Sequence, residues 1–345
     1  MFTLAHLSDP HLGPLPDPRL LELASKRVIG YVNWRRNRAV HLTSGALDAL
    51  VDDLMQAAPD HIAVTGDLVN LGLKRELGPA AEWLDSLGDP STVSAIPGNH
   101  DAYVPGSLDR ATRRWAAHMA GDDADHHTHL APLFPYVRRR GKVAIVGTSS
   151  ARATGPFMAT GHFDSSQALR LTETLEALRH EGLFRVVLIH HPPVRSATGW
   201  AKRMIGGSRF RAAIAEAGAE LVLHGHTHEA TLMSIPGPGT SLVPVVAVPS
   251  ASAQPGGRRP AARYNLYAID GAPGAWTCRM TERGIINGTL DIAEISTRML
   301  DDLPPPELHP TTGKSGTASR RIKPVRRGSG EISIARANAT NPIDR

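Results

Sequence analysis

Residues 92–101 read TVSAIPGNHD, in which a short apolar segment runs directly into a glycine and three polar residues. The apolar part has the length and composition of a buried strand. Gly98 permits a tight turn, so that Asn99, His100 and Asp101 stand where this strand ends. Polar side chains at the carboxyl end of a strand are typical of the ligand-binding edge of layered α/β proteins.

Other polar clusters along the chain follow apolar segments of strand length in the same way. These clusters are Asp9-Pro10-His11, Gly66-Asp67, His190-His191 and Gly225-His226-Thr227-His228. Because the carboxyl ends of neighbouring strands converge on one crevice, all the clusters together predict a single site. The strand-like segments alternate with helical patterns, which predicts an α/β fold.

The hydrophobic periodicity predicts the elements between these clusters. Predicted strands lie at 3–7, 62–65, 92–96, 143–146, 185–189, 221–223 and 243–248, and predicted helices at 44–57, 74–87, 165–180 and 208–217. Ser165 is predicted to cap the helix that Gly182 ends. Further strands at 229–235, 264–269 and 276–281 are expected to be antiparallel and to close a second sheet. The basic run 138–140 is expected to form a turn.

The spacing of the donor residues fits metal ligation. In an extended segment, residues i and i+2 point to the same side, so Asp9 with His11 would present two donors to one small volume. The same holds for His226 with His228. The full candidate set has two carboxylates, one amide oxygen and four imidazoles: Asp9, His11, Asp67, Asn99, His190, His226 and His228. Seven donors are too many for one tetrahedral ion and suit two ions that share a bridging carboxylate.

A pair of metal ions implies hydrolysis of a phosphoester. Two ions lower the pKa of a shared water, so that hydroxide attacks phosphorus in line at neutral pH. Adjacent side chains at a strand end point in different directions, so if Asn99 binds a metal, His100 is free to face the substrate. His100 is expected to protonate the leaving oxygen, with Asp101 orienting the imidazole. Nitrogen and oxygen ligands suit divalent or trivalent Mn, Fe, Zn or Co, so two such ions are the predicted cofactors.

The motifs resemble, in order, those of the calcineurin-like metallophosphoesterase superfamily: D-x-H, G-D, G-N-H-[DE], H and G-H-x-H, met over residues 9–228. The resemblance implies a four-layer α/β/β/α sandwich with a dinuclear centre. It implies that Asp9, His11, Asp67 and His228 hold one ion, that Asp67, Asn99, His190 and His226 hold the other, and that His100 is the catalytic histidine. The run His-His-Pro-Pro at 190–193 looks most like the bacterial branch that includes class III cyclic-nucleotide phosphodiesterases and glycerophosphodiesterases.

Candidate substrate contacts come from two basic segments and from His191. For His191, the alternative is a structural role beside the ligand His190. The segment 19–41 carries six basic residues, one acid and two aromatics, and it follows the first motif. It is expected to be an electropositive lid that binds phosphate through Arg35 and Arg36, an interfacial segment on anionic lipid, or a solvated helix packed through its aromatics. Arg203 belongs to the second segment, 199–210.

Composition limits the remaining possibilities. The 345 residues are 41% hydrophobic and contain no apolar run long enough to span a membrane. The single cysteine, Cys278, excludes a disulfide framework and fits a cytoplasmic, or peripheral membrane, location. The net charge of +5 arises in the segment 304–345, which is expected to be a disordered basic tail behind a catalytic domain at 1–303. A nucleic-acid partner is therefore not expected.

The predicted function is hydrolysis of a small phosphodiester, such as a cyclic nucleotide or a glycerophosphodiester. One alternative is a phospho- or pyrophosphohydrolase that acts on lipids at a membrane surface. Another is a non-catalytic scaffold that retains the fold.

Overall fold

The computed structural model describes residues 1–37, 45–124, 134–257 and 259–301. The predicted tail at 304–345 and the end of the basic segment, 38–41, lie outside these residues. None of the helices in the described ranges has the length and apolar character that a membrane crossing requires.

The strands in chain order are β1 (Phe2–Leu7), β2 (His61–Val64), β3 (Val93–Ala95), β4 (Tyr136–Arg140), β5 (Val143–Gly147), β6 (Gly161–His162), β7 (Phe184–Leu188), β8 (Met204–Ile205), β9 (Leu221–His224), β10 (Thr231–Pro236), β11 (Leu242–Ala247), β12 (Arg263–Asp270), β13 (Thr277–Ile285) and β14 (Ile292–Met299). The α-helices are α1 (Leu20–Leu23), α2 (Arg27–Asn37), α3 (Ala46–Gln56), α4 (Leu77–Leu87), α5 (Ser107–Arg114), α6 (Ser165–His180) and α7 (Gly207–Ala217).

Two six-stranded sheets form the centre of the molecule, in the orders β14-β13-β12-β1-β2-β3 and β10-β11-β9-β7-β5-β4. In the first sheet β1, β2 and β3 are parallel, and β12 joins β1 antiparallel. In the second sheet β5, β7, β9 and β11 are parallel, with an antiparallel strand at each edge. The parallel strands of both sheets therefore bring their carboxyl ends to a common edge.

The alternation of side chains along β5 separates the layers. Val143 and Ile145 belong to a core cluster that also contains Leu4 and Ala63, which share one face of the first sheet. Ala144 and Val146, which point to the opposite face, pack in a second core with residues of α6 and α7. Helix α3 covers the outer face of the first sheet through β12, β13 and β14. The predicted four-layer α/β/β/α arrangement is confirmed.

Most predicted elements are confirmed, and the errors have identifiable causes. The helix at 165–180 is capped by Asp164 rather than Ser165, because the Asp164 carboxylate accepts the backbone N–H of Gln167 at 2.7 Å. The run 138–140 belongs to strand β4 and is not a turn. The buried Arg138 guanidinium donates to backbone carbonyls, including that of Ala120 at 2.8 Å, which makes a basic residue tolerable in a strand.

Only part of the last third of the chain was assigned to the correct sheet. Strand β10, at the predicted 229–235, is antiparallel to β11 and closes the second sheet as expected. Strands β12 and β13 are antiparallel as predicted, but they extend the sheet that contains β1 instead of closing the second one. The same sheet ends in β14, whose mixed polar sequence gave no strand signal. Strand order depends on contacts between distant segments, so periodicity within a strand does not predict it.

Candidate metal centre

The polar clusters lie just beyond the carboxyl ends of five strands from both sheets. Asp9 follows β1, Asp67 follows β2 and Asn99 follows β3, whereas His190 follows β7. His226 and His228 follow β9 in the same way. The structure brings all seven predicted metal ligands together at this edge, within overlapping groups of donor atoms.

The backbone at these strand ends is left-handed. Positive φ angles occur at Asp9 (53°), His11 (43°), Asp67 (56°), His226 (66°) and His228 (57°). Such angles are uncommon outside glycine, and they persist where the surrounding structure enforces them, most often at functional sites. The pairs at 9/11 and 226/228 were predicted to converge through an extended segment. They converge instead because left-handed residues turn both side chains inward.

One group of donors consists of Asp9, His11 and His228. Asp9 Oδ1 lies 3.1 Å from His228 Nε2, and the two imidazole Nε2 atoms lie 3.4 Å apart. Ligand atoms bound about 2.1 Å from one ion lie roughly 3 to 3.4 Å from each other. The spacing of this group therefore fits a single metal ion.

A second group contains Asp67, His190 and His226, with Asn99 beside it. His190 Nε2 lies 3.2 Å from Asn99 Oδ1 and 3.4 Å from Asp67 Oδ2. The same Asp67 oxygen lies 4.0 Å from His11 Nε2 of the first group. Asp67 thus stands between the two groups, which is the position that a bridging carboxylate requires.

Backbone carbonyls orient the imidazole rings. His190 Nδ1 lies 2.7 Å from the Thr65 carbonyl, and His226 Nε2 lies 3.0 Å from the Lys202 carbonyl. A carbonyl accepts only a ring N–H, so the neutral form of each ring keeps the lone pair of its other nitrogen for a metal. These contacts give both residues the tautomer that ligation needs.

The charges at the centre favour cations. Burial opposes ionisation of Asp67, but the imidazoles of His190 and His100 hold its pKa well below its usual value. Burial would lower the pKa of His190, yet the Asp67 and Asp9 carboxylates raise it to about 9. The buried carboxylates therefore create a negative potential, and the donor set fits the two predicted metal ions.

His100 and Asp101 differ in role. The His100 ring borders the cavity, and its Nδ1 lies 2.6 Å from the Asn70 carbonyl. The Asp101 carboxylate accepts the backbone N–H groups of Asp67 (2.9 Å), Val69 (3.2 Å) and Gly98 (2.7 Å). Asp101 was predicted to orient the imidazole. In the structure the Asn70 carbonyl does so, and Asp101 positions the loops that carry Asp67 and Asn99.

Two glycines permit the close approach of these loops. A Cβ atom at Gly98 would collide with both the backbone nitrogen and Oδ1 of Asp67. A Cβ atom at Gly225 would collide with Ser8 Oγ and lie 2.5 Å from Asp9 Oδ2. Both glycines are required by space rather than by an unusual φ, since neither has a positive φ.

A cavity of about 890 Å³ opens above the centre. Among the described residues, its lining includes the cations Lys26, Lys202 and Arg259. Neither Arg35 nor Arg203 is part of that described lining. Arg35, on the exposed side of α2, has its guanidinium 5.9 Å from the Tyr31 ring centre. The side chain of Arg36 lies outside the described part of the structure.

His191 is a structural neighbour of the centre. It is completely buried, with Nδ1 2.8 Å from Ser150 Oγ and Nε2 3.2 Å from the Ala159 carbonyl. Its ring packs 4.3 Å from that of His226, and burial lowers its pKa to about 3. Both ring nitrogens are engaged, so the structural alternative describes His191 better than substrate contact.

Helix α2 explains why lysine rather than arginine reaches the cavity. Ile29, Gly30 and Asn33 line the cavity on one face of the helix, directly after Lys26. On a second face, Tyr31 and Trp34 pack against a small apolar cluster of Leu15, Leu71 and Leu73. The third face, with Val28, Val32 and Arg35, is exposed. The helical period could have grouped the residues of α2 into these faces from the sequence alone, but only if the face that lines the cavity had been known.

Comparisons with known proteins agree with the fold and give the family. The model of the family described as calcineurin-like phosphoesterase matches residues 2–230. The chain is similar to the structure of a dimetal phosphatase from Danio rerio, with 14% identity and a TM-score of 0.54 over 86% of this chain and 98% of that one. It is also similar to a 5'-nucleotidase precursor from Thermus thermophilus, with 15% identity and a TM-score of 0.42 over 86% of this chain and 53% of that one. At these identities the likeness concerns the fold alone.

A search of curated proteins finds no match. The family match covers most of the chain, and the chain belongs to the calcineurin-like phosphoesterase family.

Proposed function

We propose that the protein is a dinuclear metal-dependent phosphohydrolase that cleaves a small phosphodiester, with a cyclic nucleotide or a glycerophosphodiester as the substrate class. The observation that carries the proposal is the complete set of seven donors, with Asp67 between two groups, beneath an open cavity. The cavity volume of about 890 Å³ lies within the usual range for small-molecule sites. When bound, two metal ions supply Lewis-acid activation of the phosphoryl group and of water.

The chain's own residues supply proton transfer and alignment. His100 Nδ1–H donates to the Asn70 carbonyl, so Nε2 is the nitrogen that exchanges a proton with the substrate. An imidazolium there protonates the leaving oxygen as the P–O bond breaks. The His100 backbone N–H also donates to Asp67 Oδ1 at 2.7 Å, which couples the proton donor to the bridging carboxylate.

The test is hydrolysis of bis(p-nitrophenyl) phosphate by the Mn²⁺-reconstituted protein, with metal content measured in parallel. Asp67→Ala is expected to abolish activity and metal binding. His100→Ala is expected to lower kcat by roughly 10²- to 10⁴-fold while metal stays bound. His180→Ala, which changes an exposed histidine at the end of α6, is the matched control and should behave like the wild type. Undiminished activity in either active-site variant contradicts the proposal.

The membrane-surface alternative is favoured by one observation, the exposed apolar side chains of α1 and of the loops at the cavity. Leu20 and Leu21 of α1 are 87% and 90% exposed, and Phe157, which lines the cavity, is 83% exposed. Trp200, next to the cavity residue Ala201, is 68% exposed. Apolar side chains beside cations are the combination that binds an anionic lipid surface. The cytoplasm, or its membrane face, is the proposed location, which rests on the single cysteine of the chain.

Co-sedimentation with phosphatidylglycerol vesicles tests this alternative. The wild type is expected to bind, and the double change Leu20→Ser with Leu21→Ser is expected to release the protein. Leu169→Ser removes an exposed leucine of α6 outside the cavity and serves as the control. Equal binding by all three proteins, or no binding by the wild type, removes the alternative. The scaffold alternative requires a metal content near zero, which the elemental analysis above measures.

A further inference from the structure

The mouth of the cavity contains a cation whose surroundings point to a ligand. Lys26 precedes α2 and reaches across to the loop that follows β5, where its Nζ donates to Thr154 Oγ1 at 2.9 Å. The same Nζ lies 4.5 Å from the centre of the Tyr103 ring. The ammonium is thus held in place from two sides, by a hydroxyl and by an aromatic face.

The ammonium has no carboxylate beside it in the part of the chain that the structure describes. No ion pair joins Lys26 to an acidic residue there, and the carboxylate among the described cavity residues, Asp67, is a metal-ligand candidate. Burial lowers the pKa of Lys26 to about 8. A half-buried charge without a counter-ion is costly, and a bound anion would remove that cost. An ammonium group also has three donors, of which Thr154 takes one.

Lys26 stands on the leaving-group side of the centre. The Tyr103 ring lies 5.5 Å from the His100 ring, on which the proposed function places proton donation to the leaving oxygen. Two steps, of 4.5 Å and 5.5 Å, therefore join the ammonium to the proton donor. The direct separation is no larger than these two steps combined, a span within reach of a leaving group several atoms long.

We propose that Lys26 forms an anion subsite, so that the preferred substrate carries a second anionic group, such as a phosphate, on its leaving group. This proposal rests on the proposed function in one respect, namely that His100, as the proton donor, marks the side on which the leaving group lies. It narrows the substrate class to phosphodiesters whose leaving alcohol itself carries an anionic group. Hydrogen bonds from a positioned ammonium to anionic oxygens supply the selectivity.

Calorimetric titration of the full-length, Mn²⁺-loaded protein tests the subsite without requiring turnover. The probes are propane-1,3-diol monophosphate and propane-1,3-diol bisphosphate, which differ by the second anion. The wild type is expected to bind the bisphosphate about tenfold more tightly, the effect of one charge-assisted hydrogen bond. Lys26→Met should reduce the ratio to about twofold or less, whereas Lys26→Arg, which keeps the charge, should retain most of it.

Two further variants identify the cation responsible. Lys74→Met changes an exposed lysine outside the cavity lining and should leave the ratio unchanged. Lys202→Met changes another cavity cation. Loss of the ratio in Lys202→Met but not in Lys26→Met overturns the proposal, and so does a wild type that shows no preference. If circular dichroism shows Lys26→Met unfolded, Lys26→Gln replaces it, with the same expected loss. Absence of hydrolysis would contradict the proposed function and leave the binding ratio measurable.

Discussion

The metal centre and the mouth of the cavity are built in different ways. Every donor of the centre lies just after a strand, on backbone that is left-handed or held by buried hydrogen bonds. The mouth includes one face of α2 together with residues from the loops at 157–159, 201–202 and 250–257. Strand ends are positioned by the sheets, whereas α2 is positioned by a few contacts of its own. The chemistry and the substrate preference can therefore change independently.

Gly98→Ala is expected to disrupt the candidate metal centre and to have the largest effect of the changes considered. The added methyl group collides with the Asp67 backbone, which cannot move aside like the end of a flexible side chain. Displacing the bridging carboxylate should remove metal from both sites and lower kcat on the order of 10²-fold or more. Elemental analysis and hydrolysis of bis(p-nitrophenyl) phosphate measure both effects. Gly155→Ala, at a glycine with open space around it, is the control. Full metal content in Gly98→Ala would contradict the prediction.

Asp101→Asn should weaken the centre less, because it removes acceptors rather than ligands. A carboxamide cannot accept all three backbone N–H groups that the Asp101 carboxylate accepts. Metal affinity is expected to fall by roughly 10- to 100-fold, the usual effect of losing such a supporting contact. Titration against a competing chelator measures it, with the exposed Asp109→Asn as the control. Unchanged affinity would mean that Asp101 does not position the ligand loops.

Arg27→Met should loosen the mouth and leave the centre intact. The Arg27 guanidinium donates to the carbonyls of Leu71 (2.9 Å) and Gly72 (2.6 Å), which attach α2 to the body of the protein. Hydrogen bonds from a charged group contribute about 1.5–3 kcal/mol, so local opening of α2 should rise about tenfold or more. Amide hydrogen exchange over α2 measures this, with metal content as a second readout. Arg35→Met, on the exposed face of the same helix, should change neither.

A change outside both regions should affect stability with little effect on activity. His61 lies at the start of β2, away from the end that leads to Asp67, and burial lowers its pKa from 6.5 to about 3. The unfolded chain therefore binds the proton more readily, so stability is complete above pH 6.5 and falls as the pH drops from 6.5 toward 3. The loss is at most about 1.4 kcal/mol per pH unit.

Urea unfolding at pH 7 and pH 5 compares the wild type with His61→Gln. The variant cannot take up this proton, so its free energy of unfolding should decrease less between the two pH values. Equal decreases in both proteins would show that His61 does not contribute to the pH dependence. His180→Gln, at an exposed histidine, should match the wild type.

The sequence located the candidate metal centre because strand ends leave a local pattern. The apolar segment indicates the strand, and the Asp, Asn or His that follows the next Gly indicates the donor. Asp67 and Asn99 could therefore be named without any tertiary information. The order of strands could not be read this way. The placement of β12 beside β1, which also brings β13 into this sheet, depends on pairing across more than two hundred residues.

The mouth was harder to predict because α2 has three different faces. The sequence of a basic segment does not show which of these faces points to the cavity. The sequence indicated that 19–41 lies near the site, yet it favoured Arg35, which stands on the exposed face. Lys26 reaches the cavity because Tyr31 and Trp34 anchor another face of α2 on Leu71 and its neighbours. Packing between distant segments decides such a rotation.

The sequence by itself determined the fold class, the seven candidate ligands and the candidate proton donor, because residue type and strand-end position are local properties of the chain. Only the tertiary structure decided the contacts of Asp101, the burial of His191 and the residue of α2's basic segment that faces the cavity. Each of these depends on which backbone group or helix face lies opposite, and that is determined by contacts between segments far apart in the chain.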